Sequence, residues 1–246
     1  MSTSPRFLGL VVEGPSDART IPNIVDRILV DGGTLLDSDR ESSRTFGGRA
    51  AASSFLAWRS VDHEAKGRVP RRHGPFGGAP AIEDARTAWY ALQCFVGRDP
   101  QPAAVLLVRD SDGKQDDRLK GLKQAREDAE WPFPVLIGVA HTMMECWVIS
   151  VFVAQGKKEI AALATLRKEL GFDPTGRPEE LTASNETAKR SPKRVLSKLT
   201  QGDDEREADC WNAANVELLR ARGAKNGLAD FVGEVEEHLS PLFAGP

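Results

Sequence analysis

Cysteine is scarce in this 246-residue chain. Cys94, Cys146 and Cys210 are widely spaced, with no C-x-x-C pair. That argues against a disulfide framework and a cysteine-based zinc site, and it fits a reducing compartment. No stretch approaches the roughly 18 apolar residues of a membrane-spanning helix. The opening "MSTSPRF" lacks the apolar core of a signal peptide, so the expectation is a cytoplasmic chain with no membrane partner. There is no G-x-S-x-G elbow, and His141 and Cys146 stand five residues apart, off a shared helical face. Serine and cysteine nucleophile chemistry therefore has little support. Internal repeats and low-complexity tracts are also missing.

What is present points to an α/β protein. The length fits one large domain or a core with a smaller appendage. Hydrophobic residues at 40% and charged residues at 28% permit a substantial core. The apolar runs "FLGLVV" (7–12), "AAVLLVRD" (103–110) and "FPVLIGVA" (133–140) read as buried parallel strands. "GTLLDSD" (33–39) is a further strand candidate. Helical patterns occupy 18–30, with Pro22 in the first turn, then 81–96, 117–131 and 141–155, and a short helix is expected within "AASSFLAWRSV". Strands alternating with helices predict a mostly parallel sheet with helices on both faces over residues 1–155. Residues 156–246 read as a C-terminal helical extension.

Between about 40 and 80 the pattern breaks into Gly-, Pro- and Arg-rich sequence, read as an insertion. Residues 40–73 hold eight cations against three acids, a local +5 that leaves −8 for the rest of a chain whose net charge is −3. Such asymmetry suits a polyanion-facing segment or a solvated basic loop.

Acids stand where strands end. Glu13 and Asp17 follow the first strand, Asp110 and Asp112 follow a later one, and Glu145 comes just after the next. In an open parallel sheet, ligands gather beyond the carboxyl ends of the strands. Each acid also has a plainer explanation: Asp17 as a helix-start residue, Asp110 and Asp112 as turn formers, Glu145 as the polar side of a helix. Glu13 is less easily explained, because glutamate is neither a favoured turn former nor at ease at the end of an apolar strand. If the strand geometry persists past Asp110, Asp110 and Asp112 project in similar directions, since alternate side chains share a face, and hard divalent cations such as Mg2+ or Mn2+ favour such oxygen ligands.

"LVVEGPSDARTI" resembles the first motif of TOPRIM domains, and "VLLVRDSDG" resembles their Asp-x-Asp motif. Asp17, together with "HTMMECW" after the next strand, resembles the nuclease branch typified by the overcoming-lysogenization-defect (OLD) proteins and their small stand-alone relatives. The resemblance implies a Rossmann-like TOPRIM core and metal-dependent cleavage of nucleic-acid phosphodiesters, with DNA ahead of RNA and a possible role in antiviral defence. It makes Glu13 a metal ligand or general acid/base and Asp110 and Asp112 the metal-binding pair. The same resemblance implies that Asp17 and Glu145 would complete a second Mg2+ or Mn2+ site and that Lys225 would act as a catalytic lysine on the transition-state charge. It also gives the basic segment a use. Arg44, Arg49, Arg59, Arg68, Arg71 and Arg72 would contact the nucleic-acid backbone, with Phe46, Trp58 and Phe76 free to stack on bases. The chain carries no G-x-x-x-x-G-K-[ST], so any ATPase would be a separate partner chain. Two alternatives stand beside this: a nucleic-acid-binding or assembly subunit with a vestigial site, and a haloacid-dehalogenase-like phosphatase with Asp110 as nucleophile and Asp112 as acid/base.

Overall fold

Every residue of the first strand after Arg6 is buried, which is why it reads as an unbroken apolar run rather than an alternating one. The computed structural model describes residues 5–244. In chain order its elements are β1 (Arg6–Val12), α1 (Pro15–Asp31), α2 (Arg40–Ser43), β2 (Arg44–Gly47), β3 (Leu56–Ala57), α3 (Val61–Ala65), α4 (Ala85–Gln93), β4 (Ala104–Asp110), α5 (Gln115–Glu127) and β5 (Val135–Ala140). Seven helices complete the described chain: α6 (Glu145–Val151), α7 (Gly156–Leu170), α8 (Pro192–Thr200), α9 (Asp204–Ala213), α10 (Val216–Gly223), α11 (Leu228–His238) and α12 (Ser240–Phe243).

The five strands form one parallel sheet in the order β2-β1-β4-β5, with β3 continuing the β2 edge of β1. Val11 pairs with Leu107 on one side and Leu56 on the other. Side-chain alternation sends Leu8, Leu10, Leu106, Val108 and Leu136 to one face, where α1 and the helices from α6 onward cover them. Phe7, Val11, Val105, Leu107 and Ile137 go to the other face, under α3, α4 and α5. The fold is a Rossmann-like α/β arrangement with helices on both faces. The C-terminal helices share one continuous apolar cluster with the sheet.

The expected strand at 33–39 does not form. Leu35 is buried but Leu36 is 68% exposed, and Asp37–Asp39 turns into a short 3-10 helix, so the run has no apolar face to offer. The second strand is instead "RTFG" (44–47), inside the presumed insertion, which thus contributes both β2 and β3 to the sheet. The stretch expected as a short helix contains β3 and a 3-10 turn before α3 begins at Val61. Pro22 is not in a first turn either. Helix α1 begins at Pro15, leaving Pro22 in its interior.

An ion pair fixes β2 to α1. Asp26, 2% exposed on α1, accepts a bond from Arg44 Nε at 2.9 Å and a second from Arg44 Nη2. Removing one partner leaves the other charge buried and unmatched. Asp26→Ala is expected to destabilise the fold by about 3 kcal/mol in chemical denaturation. An Asp26→Leu/Arg44→Met double variant should recover most of that loss.

Candidate active site

Parallel strands that share an edge deliver their C-terminal ends to one place. Glu13 lies in the turn after β1, Asp110 is the last residue of β4, and Glu145 opens α6 after β5. Asp17 sits in the first turn of α1, where its carboxylate accepts the Gly14 N–H at 3.1 Å, closing the helix start. Asp110 Oδ1 accepts the Met144 N–H at 2.8 Å, which ties the β5–α6 turn to the end of β4.

These acids share one electrostatic environment. Burial pushes the Asp110 carboxyl up to about 8, and Asp17, Glu145 and Glu13 add to the shift; the Met144 bond opposes it. Asp17 is pushed up to about 6, again chiefly by burial, with Glu145 contributing. Glu13 and Glu145 are also raised by burial. Among the described residues, Asp17, Asp110 and Glu145 have no ion-pair partner.

Asp112 belongs to a different group. The chain leaves strand geometry after Asp110, and Asp112 adopts a left-handed φ of 47°. The expectation that the two aspartates project together therefore fails. The Asp112 carboxylate meets Arg118 at 2.7 Å, and Arg118 also meets Asp84 at 2.8 Å. Asp84 in turn holds Arg109 at 2.5 Å, and Arg109 Nε lies 3.1 Å from Glu13. Trp58 supports this chain of alternating charge: its ring lies 5.1 Å from the Arg109 guanidinium, and its indole N–H donates to Val108 O at 2.7 Å. Glu13 thus stands between the unpaired acids and an arginine-lined rim. Close packing positions the rim, because a Cβ on Gly121 of α5 would come within 2.1 Å of Glu83 O, beside Asp84.

Lys225 is 77% exposed, and its ammonium lies 3.9 Å from Glu179. The lysine that acts on the acids is Lys193, at the start of α8, whose charge lowers the pKa of both Asp17 and Glu145. Lys193 also bonds Glu186 at 2.8 Å. Beside Glu145 opens a cleft of about 190 Å³, lined in part by Ser16, Thr20, Lys193, Asp204 and Glu207. Glu207 is raised too, by burial and then by Asp204 and Glu145. Sequence reasoning missed Arg109, Arg118, Asp84, Lys193 and Glu207. Arg109 lay inside the "VRD" strand end and was open to notice, whereas Lys193 sits in a helix that looks like any solvated one.

Half of the basic segment is already committed. Arg44 is held by Asp26, Arg49 by Glu64 at 3.2 Å and Arg72 by Asp128 at 2.7 Å. Arg68 makes only an exposed 3.4 Å contact with Glu64, and Arg59 and Arg71 face solvent. Trp58 and Phe76 are buried and Phe46 lies beneath Arg44, so none of the three aromatics stands free for bases.

The donor chemistry suits a hard cation, since every group is a carboxylate and the half-buried ones have no cation in ion-pair contact among the described residues, Lys193 acting on Asp17 and Glu145 from further off. Among the described residues no three ligand-type side chains already converge on one point. Coordination would require these side chains to move closer together, each keeping one oxygen that its present contact leaves unused.

Asp110 gives a sign-definite pH dependence. Its folded pKa, about 8, is above the ordinary 3.8. The fold therefore retains a proton that the unfolded chain releases, so this contribution is full at acid pH and is lost as pH rises through about 8. Without added metal, Asp110→Asn should raise Tm above pH 8, by about 2–4 °C for each kcal/mol recovered, with the gain shrinking towards pH 4. Thermal melts across that range check it. No protein-family profile, curated protein or solved structure matches this chain.

Proposed function

We propose that this protein is a TOPRIM-like, metal-dependent nuclease acting on nucleic-acid phosphodiesters. One observation carries the reading: Glu13, Asp17, Asp110 and Glu145, from three distant segments, stand at the C-terminal edge of a parallel sheet, all partly buried and three of them without an ion-pair partner among the described residues. Carboxylates so placed repel one another until a cation shares the space.

Glu13, Asp17, Asp110 and Glu145 are the residues that would hold Mg2+ or Mn2+. Two such ions, when bound, supply the charge that activates an attacking water and stabilises the leaving oxygen. Glu13, raised by burial and within reach of Arg109, is the candidate for moving a proton. Arg109 puts positive charge beside Glu13, where a phosphodiester oxygen would settle, and Asp84 fixes its guanidinium plane together with that of the buried Arg118, whose donors are all engaged. Asp112 acts through Arg118 rather than as a direct partner of Asp110. Lys193 takes the charge-balancing place that the resemblance gave to Lys225. DNA is the first substrate to test, and a separate ATPase chain and an antiviral setting belong to the same proposal.

The expected result is nicking of supercoiled plasmid that requires Mn2+ or Mg2+ and falls at least about a hundredfold in Glu13→Ala and Asp110→Asn. Cleavage unchanged in Asp110→Asn overturns the assignment. DNA retarded at low salt but never cut would favour a binding subunit, and turnover of a small phosphate ester that survives Glu13→Ala would favour a phosphatase.

A further inference from the structure

On the face of the sheet covered by α3 and α4, a cavity of about 600 Å³ is lined by Lys66, Arg71 and Arg86 against a single acid, Asp62. Its apolar side comes from Ala65, Val69 and Tyr90. The volume is within the ~300–1,000 Å³ of small-ligand pockets. None of the three cations has an ion-pair partner among the described residues, unlike Arg44, Arg49 and Arg72 nearby.

The backbone of one wall is fixed in advance. Arg86 and Tyr90 are four residues apart, on one face of α4. The Tyr90 hydroxyl accepts the backbone N–H of Arg72 at 3.0 Å, and Arg72 donates through Nε at 3.1 Å and Nη2 at 2.7 Å to Asp128 just beyond α5. Those bonds hold the backbone of this segment against the helices, while the side chains of Lys66, Arg71 and Arg86 stay exposed and within reach of a ligand.

We infer that this cavity binds a nucleoside phosphate, with its phosphate on Lys66, Arg71 and Arg86 and its flat apolar part against Val69 and Tyr90. An inorganic anion would use only the charged side, and an uncharged aromatic only the other. The same chemistry is offered by a free nucleotide and by an unpaired nucleotide within a strand. The strand is the source that fits the proposed function, and to that extent the inference rests on it. The pocket would then hold a single strand away from the acids, making substrate with unpaired bases the preferred class.

Tyr90 is the only tyrosine in the chain, so one 3-fluorotyrosine label gives one 19F resonance that reports this cavity. The experiment uses full-length Asp110→Asn protein, so that binding is read without cleavage, and three probes: inorganic phosphate, thymidine monophosphate and a short oligo-dT. Saturable movement of the resonance by oligo-dT is expected. Arg71→Glu/Arg86→Glu should weaken it at least about tenfold and reduce the slope of log K against log salt by about two. Tighter binding of oligo-dT than of the mononucleotide identifies a strand as the source; equal binding identifies the free nucleotide. A resonance unmoved by any probe overturns the inference. So does an equal response to phosphate alone, or strand binding by anisotropy that leaves the resonance still and ignores the charge reversal. Metal-dependent nicking is scored separately, so either proposal can fail without the other.

Discussion

Crowding carboxylates where water is scarce is unfavourable unless positive charge shares the space, and this fold does so at the end of β4. Asp110 is the centre of the arrangement. The Met144 N–H fixes one of its oxygens, burial and three neighbouring acids favour its protonated form, and no cationic side chain pairs with it among the described residues. The sheet imposes this crowding. Because β1, β4 and β5 run parallel, their C-terminal ends meet at one edge, and the capping role of Asp17 brings a further carboxylate there from α1.

Beside the unpaired acids runs an ordered charge sequence, Glu13, Arg109, Asp84, Arg118 and Asp112. Buried ion pairs add little net stability, and removing one member is costly. Their clearer consequence is geometric: two guanidinium groups are held on one acidic side chain, with an indole ring beneath the first. Both arginines are already matched by acids, so this sequence orders the rim beside the unpaired acids.

The buried strands were legible because a strand covered on both faces needs apolar residues throughout, as at 7–12 and 135–140. Glu13 and Asp110 were legible as charges ending such runs. "RTFG" was not, because it is a short edge strand whose arginine is satisfied by Asp26, eighteen residues earlier in the chain. Nor could spacing show that Asp112 turns towards Arg118, since that depends on a positive φ after the strand has ended. Lys193 and Glu207 reach the site through packing of α8 and α9 across one sheet face, a consequence of tertiary structure with no local signature. The six arginines counted as one basic arm differ in their partners, and composition carries no information about partners.

Diffraction from crystals soaked in Mn2+, recorded to isolate its anomalous scattering, tests the central claim most directly. Cations shared by the acids predict strong anomalous peaks between Asp110 and the carboxylates of Glu13, Asp17 and Glu145, with these side chains drawn towards the peaks. An edge without such peaks at saturating Mn2+, its carboxylates unmoved, would contradict it.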